Sequence, residues 1–143
     1  MKLLLTTVVC FLTLQIASAQ SIKFGKDYLK ALQYAKKKNA SVLFFFVNGK
    51  DTYTEENIED NVLKSSNFKN AINHSLVIVT VDESNEESKT KFNKRMITAY
   101  NEDKIFPSIK VYNPNSRKRT SLLTSFNDKD IIAFIEEINN LKN

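Results

Sequence analysis

The chain has one cysteine, one histidine, no tryptophan, two glycines and two prolines in 143 residues. A lone sulfur, Cys10, cannot close an intrachain disulfide, so cross-links cannot stabilise the fold. The single histidine, His74, leaves the acidic residues without imidazole neighbours for a metal site. Scarce glycine and proline fit the absence of linkers, repeats and low-complexity tracts. Charge of one sign is also in short supply: the net charge is only +5, too modest to argue for nucleic acid. The basic clusters Lys36-Lys37-Lys38 and Arg117-Lys118-Arg119 are short and carry no interleaved aromatics, so they are expected to be a solvated helix end and a hairpin tip.

Apolar residues are plentiful. Leu3 to Ile16, preceded by Lys2 and followed by Ala17-Ser18-Ala19-Gln20, has the plan of a secretory signal peptide cleaved after Ala19. Its apolar stretch is about 14 residues long, short of the ~20 that span a bilayer, and no later segment is long enough to cross one. Cys10 follows Val9 rather than a small residue, which argues against lipidation, and it leaves with the leader. Residues 1–19 are therefore read as leader and residues 20–143 as one domain, exported to a periplasmic or extracellular space. With ten phenylalanines, one of them in the leader, the core must supply the stability, at about 1.5–3 kcal/mol per buried large side chain.

Hydrophobic periodicity orders the elements. Tyr28, Leu29, Leu32 and Ala35 predict a helix from Lys26 to Lys38. Ser41 to Val47 is a continuous apolar run, the signature of a strand buried on both faces. A second helix is expected from about Thr52 to Asn73, with Ile58, Val62, Leu63, Phe68 and Ile72 inward and an irregularity at Ser65-Ser66. Leu76 to Val81 reads as another buried strand. Phe92, Met96, Ala99 and Tyr100 mark a third helix from about Glu86 to Asn101. Ile109 to Tyr112 alternates as a half-solvated strand, Asn113 to Ser116 is turn chemistry, and Ser121 to Thr124 is its expected hairpin partner. Asp128 is the expected cap of a last helix lined by Ile131, Phe134, Ile135, Ile138 and Leu141. The result is an α/β chain: a parallel unit with a right-handed crossover, a closing antiparallel hairpin, and helices on both faces of one mixed sheet.

That order, together with Val42 to Phe46, Val62-Leu63, Phe68-Lys69, Leu76 to Asp82, and Tyr100 seven positions before Phe106-Pro107-Ser108, resembles the thioredoxin-like superfamily over roughly Lys26 to Leu141. The resemblance is to an exported member lacking the Cys-x-x-Cys motif. It implies that the two redox cysteine positions are Thr52 and Glu55. Phe45 then stands where redox members often carry a buried acid, Asp51 where they carry tryptophan, and Ser125 where a glycine is common. Pro107 is the implied cis-proline. Phe106, Pro107 and Ser108 are the implied ledge for an extended peptide or protein partner.

The residues at the degenerate redox site have their own reading. Thr52-Tyr53-Thr54-Glu55 has capping-box spacing, in which Thr52 would accept from the backbone near Glu55 and Glu55 would reach back to Thr52. Such a cap contributes about 0.5–2 kcal/mol. Asp51, Glu55, Glu56, Glu59 and Asp60 are expected to form a solvated helix start, not a metal site. Hard-cation loops need denser oxygen ligands and a glycine at the turn. Thr52 lacks a base, since His74 would lie ~30 Å along the same helix at about 1.5 Å per residue; His74 is expected at the surface. Asn39-Ala40-Ser41 and Asn73-His74-Ser75 fit the glycosylation pattern. The sequence thus predicts a redox-inactive binding or accessory domain, not an enzyme, needing neither cofactor nor metal. The alternative is a thioredoxin-family enzyme or oxidoreductase relative acting through a site the sequence does not reveal.

Overall fold

Ser41–Val47 (β2) is buried along its whole length, and its side chains alternate between two separate cores. Leu43, Phe45 and Val47 point into one cluster, and Val42, Phe44 and Phe46 into the other. The structure, a computed structural model, describes residues 21–25, 27–84 and 90–142. The expected leader with Cys10, the expected helix start at Lys26 and residues 86–89 of the expected third helix lie outside them.

On one side of β2 runs Leu76–Asp82 (β3), parallel to it, and on the other Ser108–Tyr112 (β4), antiparallel. Beyond β3 lies a strand that periodicity did not reveal, Ile22–Gly25 (β1), parallel to β3. The sheet order is therefore β1-β3-β2-β4. At four residues β1 is too short to show alternation, and as an edge it carries the charged Lys23, which discourages further pairing. β4 is covered on its outer side only in part. Leu123 and Arg119 bridge Ile109 and Tyr112, and the register shifts by one residue between the two bridges. Thr120 Oγ1 accepts the Val111 N–H at 3.0 Å, a bond a continuous ladder would give to a main-chain oxygen. The expected hairpin partner, Ser121 to Thr124, is thus a bulged return.

Helices cover both faces. Tyr28–Lys38 (α1) and Thr90–Tyr100 (α4) pack on the Phe44 side. Thr52–Ile58 (α2), Ser66–Ala71 (α3) and Asp128–Asn139 (α5) pack on the Phe45 side. Asp27 caps α1, and Asn39, in the left-handed region at φ 52°, closes it. Ala31 and Ala35 are its buried residues, whereas Leu29, expected inward, is 55 % exposed. In α4 it is Ile97 that is buried, and Ala99 faces solvent. α5 is capped by Asn127, one residue before the expected Asp128.

Between α2 and α3 the backbone widens into a π-helical turn, Glu59–Leu63. The buried residues Ile58 and Leu63 are five apart, which on an α-helix would leave them roughly 140° out of alignment. The π turn, closed by Lys64 N–H to Glu59 C=O at 2.9 Å, brings both inward. Ser65 then restarts the helix: its Oγ accepts from Phe68 N–H at 3.1 Å and donates to Val62 C=O at 2.7 Å. The expected irregularity at Ser65-Ser66 is this cap.

Two substitutions test the packing. Phe45→Ala empties a site 1 % exposed and should cost about 3–5 kcal/mol in urea unfolding. Ser108 pairs with Phe46 and so faces the same core, where its buried hydroxyl has no hydrogen-bond partner. Ser108→Ala should lose less than about 0.5 kcal/mol or gain stability.

Candidate functional site

β2 ends at Val47, and the chain turns through Asn48 and Gly49 before α2 begins. Gly49 sits at φ +68°, and a Cβ there would come within 3.0 Å of Ser84 Oγ, so the turn requires glycine. Two consecutive N–H groups, of Asn48 and Gly49, point at one spot. Glu55 Oε1 accepts both, at 3.0 and 3.1 Å. This is an anion-binding concavity of main-chain dipoles filled by the protein's own carboxylate. Glu55 is 8 % exposed; the clamp satisfies its charge and ties the β2 exit to the first turn of α2.

The expected capping box is therefore not what forms. Asp51 is the N-cap, accepting from Thr54 N–H at 3.1 Å, and Thr52 is the first helical residue, exposed to solvent. Glu55 reaches past Thr52 into the preceding loop. Thr54's hydrogen bonds, from side chain and backbone, hold the Asp51 carboxyl below its ordinary 3.8. The other acids do not converge with it. Glu59 and Asp60 both pair with Lys64 Nζ, at 2.8 and 2.7 Å, raising the lysine's pKa. Among the described residues no group of three or more His, Cys, Asp or Glu is placed to hold a metal. Phe45 lies in the core cluster with Ile58 and Leu63.

The Phe106-Pro107 loop stands at the same end of the sheet, because the register pairing Phe46 with Ser108 sets the residues before β4 beside the exit of β2. The Phe106–Pro107 peptide bond is cis. Ser108 is fully buried, so of the three ledge residues only Phe106 and Pro107 present side chains, half-buried, while Ile105 is 40 % exposed. Sequence reasoning passed over the residue that holds this loop. Asn101, 1 % exposed, donates from Nδ2 to Ile105 C=O at 2.9 Å and accepts Ile105 N–H on Oδ1 at 3.0 Å. The available signal was an asparagine directly after the last helical residue, ahead of a chain reversal.

His74 is corrected more sharply. It is not at the surface but 4 % exposed, at the opposite end of the sheet from Glu55. Its Nδ1 donates to Asn73 Oδ1 and its Nε2 accepts from Ser41 Oγ, both at 2.9 Å. Ser41 is itself fully buried, so this serine–imidazole contact meets no substrate and is structural. Burial first, and the Lys142 charge second, hold the imidazole below its ordinary 6.5.

Three measurements follow from this geometry. Glu55→Ala should cost about 1–3 kcal/mol, the penalty of leaving buried N–H groups unpaired, while Thr52→Ala should be neutral and Asp51→Ala destabilising. For His74 the unfolded chain binds a proton near pH 6.5 and the folded chain only at lower pH. Its stability contribution is therefore full above pH 6.5 and is lost as pH falls through the folded-state value. In thermal melts between pH 7 and 5, His74→Asn should flatten the acid-side decline relative to the unsubstituted protein.

With this geometry in view, the architecture can be set beside solved structures. A DsbH oxidoreductase superposes with a TM-score of 0.64 at 18 % identity, covering 87 % of this chain and 89 % of that one. A disulphide isomerase from Xylella fastidiosa Temecula1 superposes with a TM-score of 0.52 at 19 % identity, covering 77 % of this chain and 86 % of that one. No protein-family model and no curated protein matches the sequence. At these identities the likeness is one of fold, and the fold is thioredoxin-like.

Proposed function

We propose that the chain is an exported, non-catalytic binding domain on a thioredoxin-like scaffold, which takes an extended polypeptide segment along the loop from Lys104 to Pro107. The observation that carries this reading is the adjacent pair Ile105-Phe106. One side chain is exposed and one half-buried, and the buried Asn101 side chain holds Ile105 by its N–H and C=O. A fixed apolar shelf beside a strand start suits recognition by main-chain pairing with side-chain contacts on alternate residues.

Thiol chemistry is set aside on arithmetic. A dithiol cycle needs two cysteines in one chain, and this chain has one, Cys10. Thr52 and Glu55 take the places the resemblance assigns to cysteines, and Glu55 spends its carboxylate on the loop amides. The ledge needs no cysteine to function, so the two features separate.

Two tests apply. With dithiothreitol as donor, the protein should not accelerate insulin reduction; detectable turnover would overturn the non-catalytic reading. On an array of unstructured random-sequence peptides, the protein should select apolar extended segments. Ile105→Asn should weaken that selection at least five-fold, with stability changed by less than about 0.5 kcal/mol, as for other exposed sites. Phe106→Ala is a poorer probe, because Phe106 also packs on the Phe44 core. Equal selection by Ile105→Asn would remove the loop from the proposal.

A further inference from the structure

The two basic clusters, far apart in sequence, meet at one end of the molecule. Lys36, Lys37 and Lys38 form the last turn of α1. Asn115, in the turn that follows β4, donates from Nδ2 to Asn39 Oδ1 at 3.0 Å and to Lys36 C=O at 3.5 Å, which seats Arg117, Lys118 and Arg119 beside them. Ser116 Oγ donates to Leu141 C=O at 2.6 Å, and this draws in Lys142. All seven cations are solvent-exposed. Glu137 lines a groove of about 510 Å³ with Arg117 and Arg119, but its two oxygens are taken by the Ser121 N–H and hydroxyl, each at 2.7 Å.

Ser21 belongs to the same end. Its N–H donates to Ser75 Oγ at 3.2 Å, and its C=O accepts from Leu76 N–H at 3.0 Å. The described chain therefore begins at the basic pole, while the Glu55 clamp and the Ile105-Phe106 shelf lie at the other. We propose that this pole is a docking face for a bilayer rich in anionic phospholipid, which would set the domain on the membrane with its shelf turned outward. This goes beyond the peptide-binding reading and does not depend on it.

Two features favour a lipid surface over another polyanion. The cations project from a helix end, a turn and a chain terminus at one pole, an array suited to a plane of headgroups. No aromatic residue is interleaved within either cluster to stack on bases. Basic residues held near an anionic membrane each strengthen binding about five-fold, and the effect fades within a Debye length.

The test is co-sedimentation of the full chain with vesicles of phosphatidylglycerol mixed into phosphatidylcholine, against phosphatidylcholine alone. The leader contributes to both, so the readout is the ratio between them. The ratio should exceed ten-fold at low salt and collapse on raising salt. Changing Lys36, Lys37, Lys38, Arg117 and Arg119 to Gln should abolish it with the melting temperature retained. A control with the same five-charge loss at Lys30, Lys50, Lys94, Arg95 and Lys129 should keep most of it. Equal partition into the two lipids, equal loss in the control, or tighter binding to duplex DNA or polyglutamate than to the vesicles would each overturn the proposal.

Discussion

Everything in this fold hangs on a strand that must be apolar on both sides. β2 has no solvent face, so its alternation does not separate core from water; it separates one core from another. Phe44 and its neighbours on one side meet Tyr28, Phe92 and Tyr100 in a chain of ring contacts with centroids 4.9–5.6 Å apart. Phe45 on the other side meets the aliphatic residues of α2, the π turn and α5. Without a disulfide in the described domain, the two half-cores are the source of stability, and they couple through the backbone of one strand.

That constraint separates the two ends of the sheet and gives them different work. At the exits of β2 and β3 the chain must reverse, and it does so through a left-handed glycine whose amides a buried carboxylate collects. At the opposite end, Ser41, His74, Asn73 and Asn139 make a polar seam. The Asn73 N–H reaches Asn139 Oδ1 at 2.9 Å, and Asn139 Nδ2 reaches Ala71 C=O at 3.0 Å. The seam fastens β2 and the start of β3 to the end of α5, with the basic pole around it. Glu55 and His74, buried at opposite ends, each find hydrogen-bond partners nearby.

How much of this the sequence discloses depends on the range of the interaction. β2 and β3 were legible because double burial leaves an unbroken apolar run. The parallel unit and the ledge residues Phe106 and Pro107 followed from element order and from the resemblance. β1 was hidden by its length, and the π turn by a five-residue spacing that helical periodicity smears. The caps fell one residue early at both α2 and α5: Asp51 and Asn127 are non-helical and accept the N–H three residues on, whereas Thr52 and Asp128 already lie inside the helices. The partner of Glu55 lay back in the preceding loop, where the capping-box pattern does not look. Burial of His74 and Asn101 depended on tertiary neighbours that no local pattern encodes. The meeting of the basic clusters likewise rests on Asn115, an unremarkable turn residue in the sequence.

The central claim is that this thioredoxin-like scaffold keeps a recognition shelf while its helix start is sealed by oxygen. Amide hydrogen exchange on the protein with and without a peptide selected from the array addresses both halves at once. The account predicts slow exchange at Asn48 and Gly49 in the free protein, and added protection at Ile105 and Phe106 when peptide binds. Fast exchange at Asn48 and Gly49, or peptide-induced protection that spares the loop from Lys104 to Pro107, would contradict it.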